Sequence, residues 1–341
     1  MIVVLKPNIT KRDEQAVLKE IRKLGYEPHV MRGVERTVIG AIGDERTHSS
    51  LETLAAWAQV ERVMPVQKRY KLVSREAHKA NSRIKVGKDI VIGGEETVVM
   101  AGPCSVESES QLLTTAAAVK GRGGKGVRRG PLKPRPYPYG FQGLGERGLK
   151  LLAKARRETG LAIITELLSQ DHAEMVAEYT DIIQIGARNA QNFQLLIAAA
   201  RTGKPVLLKR GLSMRAEEWL LAGEYILAND NPNLLFCERG IRTFENYTRN
   251  TLDLSTIPII KQESHCPIVI DPSQGCGRAD LVVSMCKGAV AMGADALLIE
   301  VHPNPAEAWS DGAQQVGLEL FARLMKELRP FAEAAGRKWI S

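Results

Sequence analysis

Residues 97–102 read TVVMAG, and seven further short β-rich runs follow: GVRRG (126–130), AIITEL (162–167), DIIQIG (181–186), PVLLKR (205–210), NLLFCE (233–238), PIVIDP (267–272) and ALLIEV (296–301). Helical stretches separate them, among them 111–120, 192–201, 215–227, 280–292 and 315–334. Eight strand–helix alternations in about 240 residues predict an α/β fold, a (β/α)8 TIM barrel spanning 97–341. A doubly wound open sheet would show the same alternation, so the strand count decides for the closed barrel.

The chain before residue 97 follows a different rule. MIVVLKP predicts a strand, and residues 10–24 an amphipathic helix with Val17, Leu18, Ile21 and Leu24 on one face and Gly25 as its stop. EPHVM and RTVIGAIG predict strands, SSLETLAAWAQ a second helix opened by serines, and RVMPV a last strand. The order strand, helix, strand, strand, helix, strand is that of a small α+β ferredoxin-like domain, assigned to 1–70. Residues 71–96 are expected to form a linker and a hairpin, since RIKVG and DIVIGG alternate around Lys88 and Asp89.

Composition narrows the function classes. With 44% hydrophobic and 25% charged residues among 341, the chain can bury a core, and disorder is excluded. No apolar run reaches bilayer length and the first residues lack a signal-peptide pattern, so a cytoplasmic protein with no membrane partner is expected. Five cysteines without a CxxC pair point to reduced thiols. Lys and Arg number 47 against 39 acids, a net charge of +8, which suits either nucleic acid or a pocket for small anions. The cations do not run along one helix with interleaved aromatics, and only 5% of residues are aromatic, so no nucleic-acid partner is expected.

Barrel chemistry sits at the C-terminal ends of the strands. Just past the successive runs come Cys104; Arg128, Lys133 and Arg135; Arg188; Lys209; Arg239; Gln274; and Glu300 with His302. Six cations aimed at one mouth would repel unless anions join them, and the Arg fork with the Lys point charge suits two phosphate groups. The bland alternative is that they pair with acids such as Glu166, Glu238 or Glu107. A thiol and two carboxylates, Cys104, Glu300 and Asp311, with His302 nearby, are candidates for a divalent-metal site. GRGGKG at 121–126 lacks the spacing of a phosphate loop and reads as a basic turn.

Longer motifs sharpen this. GVERTVIGAIGD (33–44), KRYKLVSREAH (68–78), AGPCSVES (101–108), KPR (133–135), YGFQGLGERGL (139–149), IGARN (185–189), LLKRG (207–211), CERGIRTFENYTRNTLDL (237–254), IDPSQG (270–275), IEVHPNP (299–305) and SDGAQ (310–314) cover the chain. Together they resemble the 3-deoxy-D-arabino-heptulosonate 7-phosphate (DAHP) synthases of the short type with an N-terminal ferredoxin-like regulatory domain. That resemblance implies condensation of phosphoenolpyruvate with erythrose 4-phosphate to DAHP and phosphate, the first step of the shikimate pathway.

It further implies that Arg128, Lys133, Arg188, Lys209 and Arg239 hold phosphoenolpyruvate, and that Lys133, Pro134 and Arg135 hold erythrose 4-phosphate. Lys133 and Glu166 are the implied proton-handling residues, and Cys104, Gln274, Glu300 and Asp311 the implied metal ligands. A Tyr or Phe effector, a homotetramer and a chorismate mutase partner are implied by the same likeness.

Three positions depart from the family pattern. DPSQ replaces DPSH, so Gln274 stands where a metal-binding His is expected; its amide oxygen suits Mn2+ or Mg2+ better than softer metals, and activity without metal becomes conceivable. Arg129 replaces a Gly and Pro136 a Thr beside the aldose site. The related 3-deoxy-D-manno-octulosonate 8-phosphate synthases read KANRSS where this chain has KPRP, which favours the four-carbon acceptor. The alternative is a paralogue with an altered metal site that binds phosphorylated metabolites or acts on a different aldose phosphate.

Overall fold

In the computed structural model, which describes residues 1–32, 36–43, 50–64, 69–87, 89–129 and 143–339, the chain divides into two units, Met1–Arg69 and Tyr70–Ser341. In the first, β1 (Ile2–Leu5), β2 (Glu27–Arg32), β3 (Thr37–Ile42) and β4 (Val60–Met64) form an antiparallel sheet in the order β2-β3-β1-β4. Helix α1 (Lys11–Lys23) opens on a capping box: the Thr10 hydroxyl accepts from the Asp13 N–H, and the Asp13 carboxylate accepts from the Thr10 N–H. It buries Val17, Leu18 and Ile21 against Val3, Leu5 and Ile39 of the sheet. Gly25 ends the helix with φ +98°, a left-handed turn that a Cβ disfavours.

The expected second helix is a short 3-10 segment, Leu51–Ala56. The chain must enter β4 at Val60, and only Leu51 and Leu54, three apart, are buried there, which matches the tighter 3-10 period. The serine cap is present: Ser50 Oγ accepts from the Glu52 N–H.

The second unit begins with an antiparallel hairpin, β5 (Ile84–Val86) and β6 (Ile90–Ile92). Eight parallel strands then close into a barrel: β7 (Val98–Gly102), β8 (Gly126–Arg129), β9 (Ala162–Glu166), β10 (Ile182–Ile185), β11 (Val206–Lys209), β12 (Leu234–Glu238), β13 (Ile268–Ile270) and β14 (Ala296–Glu300). Around it lie α2 (Glu109–Gly121), α3 (Gly145–Thr159), α4 (Ala173–Tyr179), α5 (Phe193–Arg201), α6 (Ala216–Leu227), α7 (Thr256–Glu263), α8 (Pro272–Cys276), α9 (Ala279–Ala291), α10 (Leu318–Glu327) and α11 (Arg329–Ala334). The helix expected over 315–334 starts three residues later and breaks at Leu328, because Pro330 has no N–H to continue the ladder. Of the stretch 121–126, residues 122–125 form the turn from α2 into β8. No helix among the described residues is long and apolar enough to cross a membrane.

Strand side chains alternate between the barrel interior and the helix layer. Inside, Val98, Met100, Ala162, Ile164, Ile182, Leu207, Leu235, Cys237, Val269, Ala296 and Leu298 form one buried cluster, with Ile84, Val86 and Ile92 of the hairpin packed into it. The hairpin is thus an apolar floor for the barrel. Outward residues join a second, larger core against the helices, in which Trp219 and Phe236 meet edge to face.

A strap of residues 70–82 leads into that hairpin. The Glu224 carboxylate on α6 accepts from the backbone N–H groups of Lys71, Leu72 and Val73 at 3.0, 2.7 and 3.1 Å. His265 continues the clamp, with Ser82 Oγ 2.7 Å from Nδ1 and the Leu72 carbonyl 2.8 Å from Nε2.

Candidate active site

Two residues beyond the inward apolar layer, the same strand faces turn polar. Past Ile164 comes Glu166, past Ile182 Gln184, past Leu207 Lys209, past Cys237 Arg239, past Val269 Asp271 and past Leu298 Glu300, while β8 contributes Arg128. Alternation and a closed barrel therefore deliver these groups to one mouth.

Three of the six expected cations meet there. Arg128 Nη1 pairs with Glu300 Oε1, and its Nη2 lies 3.8 Å from Asp271 Oδ2. Lys209 Nζ reaches the same Asp271 oxygen at 2.5 Å. Burial alone would depress the Arg128 guanidinium, but the Glu300 and Asp271 carboxylates outweigh it and hold it above its ordinary value. Its buried Nε has no hydrogen-bond partner among the described residues.

Arg239 is different. Only 4% exposed, it donates to the Gly240 carbonyl at 3.1 Å and to Gln274 Oε1 at 3.3 Å, both neutral acceptors. Among the described residues no carboxylate forms an ion pair with it. Burial lowers its pKa and the nearby Arg249 adds to that, outweighing the Asp271 and Glu238 carboxylates, which oppose the shift. A buried guanidinium with no carboxylate in ion-pair contact among the described residues, at a mouth that also holds an unpartnered Arg128 N–H, can take up an anion that the protein itself does not supply.

The other expected positions fall differently. Arg188 lies in the turn Ala187–Asn189, exposed, lining a pocket with Gly211, Met214 and Glu218, and shares no carboxylate with the three inner cations among the described residues. Glu166 ends β9 and lies against Gly186, where any Cβ would run into its carboxylate. Lys133, Pro134, Arg135 and Pro136 lie outside the described residues.

Of the acids considered as partners, Glu238 instead binds Arg210 at 2.9 Å and Glu107 binds His302 at 3.2 Å. His302 is therefore turned to Glu107 and away from the candidate metal cluster, and its Nδ1 accepts from the Asn304 N–H. The acids that do face the inner cations are Asp271 and Glu300. Asp271 is hard to single out in the sequence because IDP reads as a strand end; its place two residues past the inward Val269 is the signal that marks it.

Ligand atoms of Cys104, Glu300 and Asp311 lie within 4.8 Å of one another, close enough for one ion to be shared among them. Cys104 Sγ donates to Asp311 Oδ2 at 2.9 Å. Gln314 and Arg249, also unforeseen, complete the surroundings: Gln314 Nε2 donates to Glu300 Oε2 at 2.6 Å, and Arg249 Nη1 to Gln314 Oε1 at 2.9 Å. A thiol and two carboxylates fit a divalent cation. Gln274 does not offer a fourth ligand as it stands, since its Nε2 points at Glu300 Oε1 at 3.0 Å.

The DAHP synthetase I family matches residues 73–334, and the DAHP synthase ferredoxin-like domain matches residues 1–68. The chain belongs to the DAHP synthetase I family.

A phospho-2-dehydro-3-deoxyheptonate aldolase of Thermotoga maritima is 49% identical over 99% of both chains. A crystal structure of a phospho-2-dehydro-3-deoxyheptonate aldolase (DAHP synthase) from Thermotoga maritima superimposes with a TM-score of 0.94 over 99% of this chain and 98% of that one. A 2-dehydro-3-deoxyphosphooctonate aldolase of Caulobacter vibrioides is 33% identical, over 71% of this chain and 90% of its own. Family membership makes the chain a 3-deoxy-7-phosphoheptulonate synthase, an enzyme of the first shikimate-pathway step, with phosphoenolpyruvate and erythrose 4-phosphate as substrates.

Proposed function

We propose that Arg128, Lys209 and Arg239 form the phosphoenolpyruvate site, with Arg188 and Lys133 closing it and Lys133, Pro134 and Arg135 holding erythrose 4-phosphate. The observation that carries this reading is Arg239, buried with its hydrogen bonds going to two neutral acceptors, at the mouth where Arg128 also keeps an unpartnered Nε. A phosphate or carboxylate oxygen supplies what both lack, and charge-assisted bonds in a dry site are strong.

In the reaction, C3 of phosphoenolpyruvate attacks the aldehyde carbon of erythrose 4-phosphate while water adds at C2 and phosphate leaves. Fixing both phosphorylated substrates over one mouth converts a bimolecular encounter into an intramolecular one. Cys104, Glu300 and Asp311 would hold a divalent metal, Mn2+ or Mg2+, which supplies Lewis-acid polarisation of the aldehyde oxygen when bound. Lys133 and Glu166 are the proposed proton-handling groups; Glu166 ends β9 at the same rim. The N-terminal unit is the proposed receptor for a Tyr or Phe effector, and the working assembly the proposed homotetramer, open to a chorismate mutase partner.

The direct test is to incubate the full chain with both substrates, in chelator and then with Mn2+, Mg2+, Zn2+ or Co2+, and to follow phosphoenolpyruvate. Consumption coupled to DAHP formation, lost in Arg239→Ala, supports the assignment. Undiminished turnover in that variant removes Arg239 from the site.

A further inference from the structure

The Gln274 side chain links the two halves of the site. Its Oε1 accepts from Arg239 Nη2 at 3.3 Å, and its Nε2 donates to Glu300 Oε1 at 3.0 Å. The chemistry of the partners dictates that sense, because a guanidinium only donates and a carboxylate only accepts. The backbone of Gln274 is clamped: its N–H donates to Asp271 Oδ1 and its carbonyl accepts from Asn250 Nδ2, both at 3.0 Å. What can move is the terminal amide.

We propose that this amide is a two-position coupler, so that an anion at Arg239 and a divalent cation at Cys104, Glu300 and Asp311 each strengthen the other's binding by reversing it. The inference rests on Arg239 being part of the phosphoenolpyruvate site. In the present sense the amide turns N–H groups toward the cation position, and its oxygen is spent on Arg239. A half-turn about the last side-chain torsion gives the oxygen to the cation and the NH2 to the Arg239 side. Two donors then face each other, which is costly unless an oxygen between them accepts from both. A substrate phosphate or carboxylate is such an oxygen.

Either ligand alone therefore meets an amide set against it, and the first to bind prepares the site for the second. By linkage the effect is reciprocal, and couplings of this kind run from about 5- to 150-fold. An imidazole at this position would present a ring nitrogen to the cation without any reversal, so the coupling belongs to the glutamine.

The test is a Co2+ titration of the full-length protein, read by the Cys104 thiolate-to-cobalt absorption band, with and without saturating phosphoenolpyruvate. Wild type is expected to bind Co2+ at least fivefold tighter with phosphoenolpyruvate present. Gln274→Met, close in volume but without an amide, is expected to lose most of that gain. Gln274→His is expected to bind Co2+ tightly in both conditions, and serves if the Met variant does not fold. Equal gains in wild type and variants, no gain in wild type, or cobalt that binds without a thiolate band would each overturn the coupler. Phosphoenolpyruvate binding is measured by calorimetry on the same samples without metal. If it binds wild type but not Arg239→Ala while coupling is absent, only the coupler falls; if Arg239→Ala binds as wild type, the site assignment falls with it.

Discussion

Lys209 Nζ lies 2.5 Å from Asp271 Oδ2, both side chains buried at the barrel mouth, and the same carboxylate lies 3.8 Å from Arg128. One acid thus holds two cations together before any substrate arrives.

Asp271→Asn leaves those cations buried and under-compensated. The expected loss is about 3–5 kcal/mol of folding stability, the usual result of removing one partner of a buried pair. Denaturant unfolding checks it. Because an anion can replace the missing charge, phosphoenolpyruvate should raise the melting temperature of the variant more than that of wild type. An unchanged midpoint without ligand contradicts the role given to Asp271.

Ile92 on the floor hairpin is fully buried in the inner barrel cluster with Met100, Leu207 and Leu298. Ile92→Ala should cost about 2–5 kcal/mol, the range for truncating a core aliphatic. Because the floor is at the opposite end from the mouth, the KM for phosphoenolpyruvate should change little. A loss well under 1 kcal/mol in denaturant unfolding would mean the hairpin is not a packed floor.

The contrast between these two positions also marks what the sequence reveals. Short, nearly continuous apolar runs identify all eight barrel strands, because burial on both strand faces forces β-rich text, and alternation identifies the hairpin. Helices α4 and α8 are less legible: α8 has five residues and α4 seven, too short for a helical period to emerge. Long-range pairing is hidden altogether, since Lys209 and Asp271 stand 62 positions apart. In LLKR, both cations look alike on paper. Strand alternation separates them: Lys209 enters the mouth, while Arg210 is used up by Glu238, Asp253 and Thr256.

His265 offers a pH test. Burial, with His78 and Arg75 nearby, depresses its pKa, while the Leu72 carbonyl and Glu224 oppose the shift. The His78 ring lies 4.8 Å away, and Cys266 Sγ is 3.8 Å from its Nδ1. The unfolded chain takes up this proton first, near the ordinary value of about 6.5. Stability from neutral His265 is therefore full above that pH and is lost as pH falls through it toward the lower folded value. Hydrogen exchange of residues 70–82 should accelerate between pH 7.5 and 5.5 beyond the intrinsic chemical trend, and His265→Gln should flatten the excess. An unchanged excess in the variant contradicts this origin.

The most direct test of the barrel mouth as a substrate-anion site is calorimetric titration of phosphoenolpyruvate into wild type, Arg239→Ala and Arg242→Ala. Arg242 is exposed in the same loop and controls for net charge. Loss of Arg239 should weaken binding by about 10- to 100-fold, the equivalent of one charge-assisted hydrogen-bonded contact, while loss of Arg242 should change it less than threefold. Equal affinity in wild type and Arg239→Ala, or equal losses in both variants, would contradict the account.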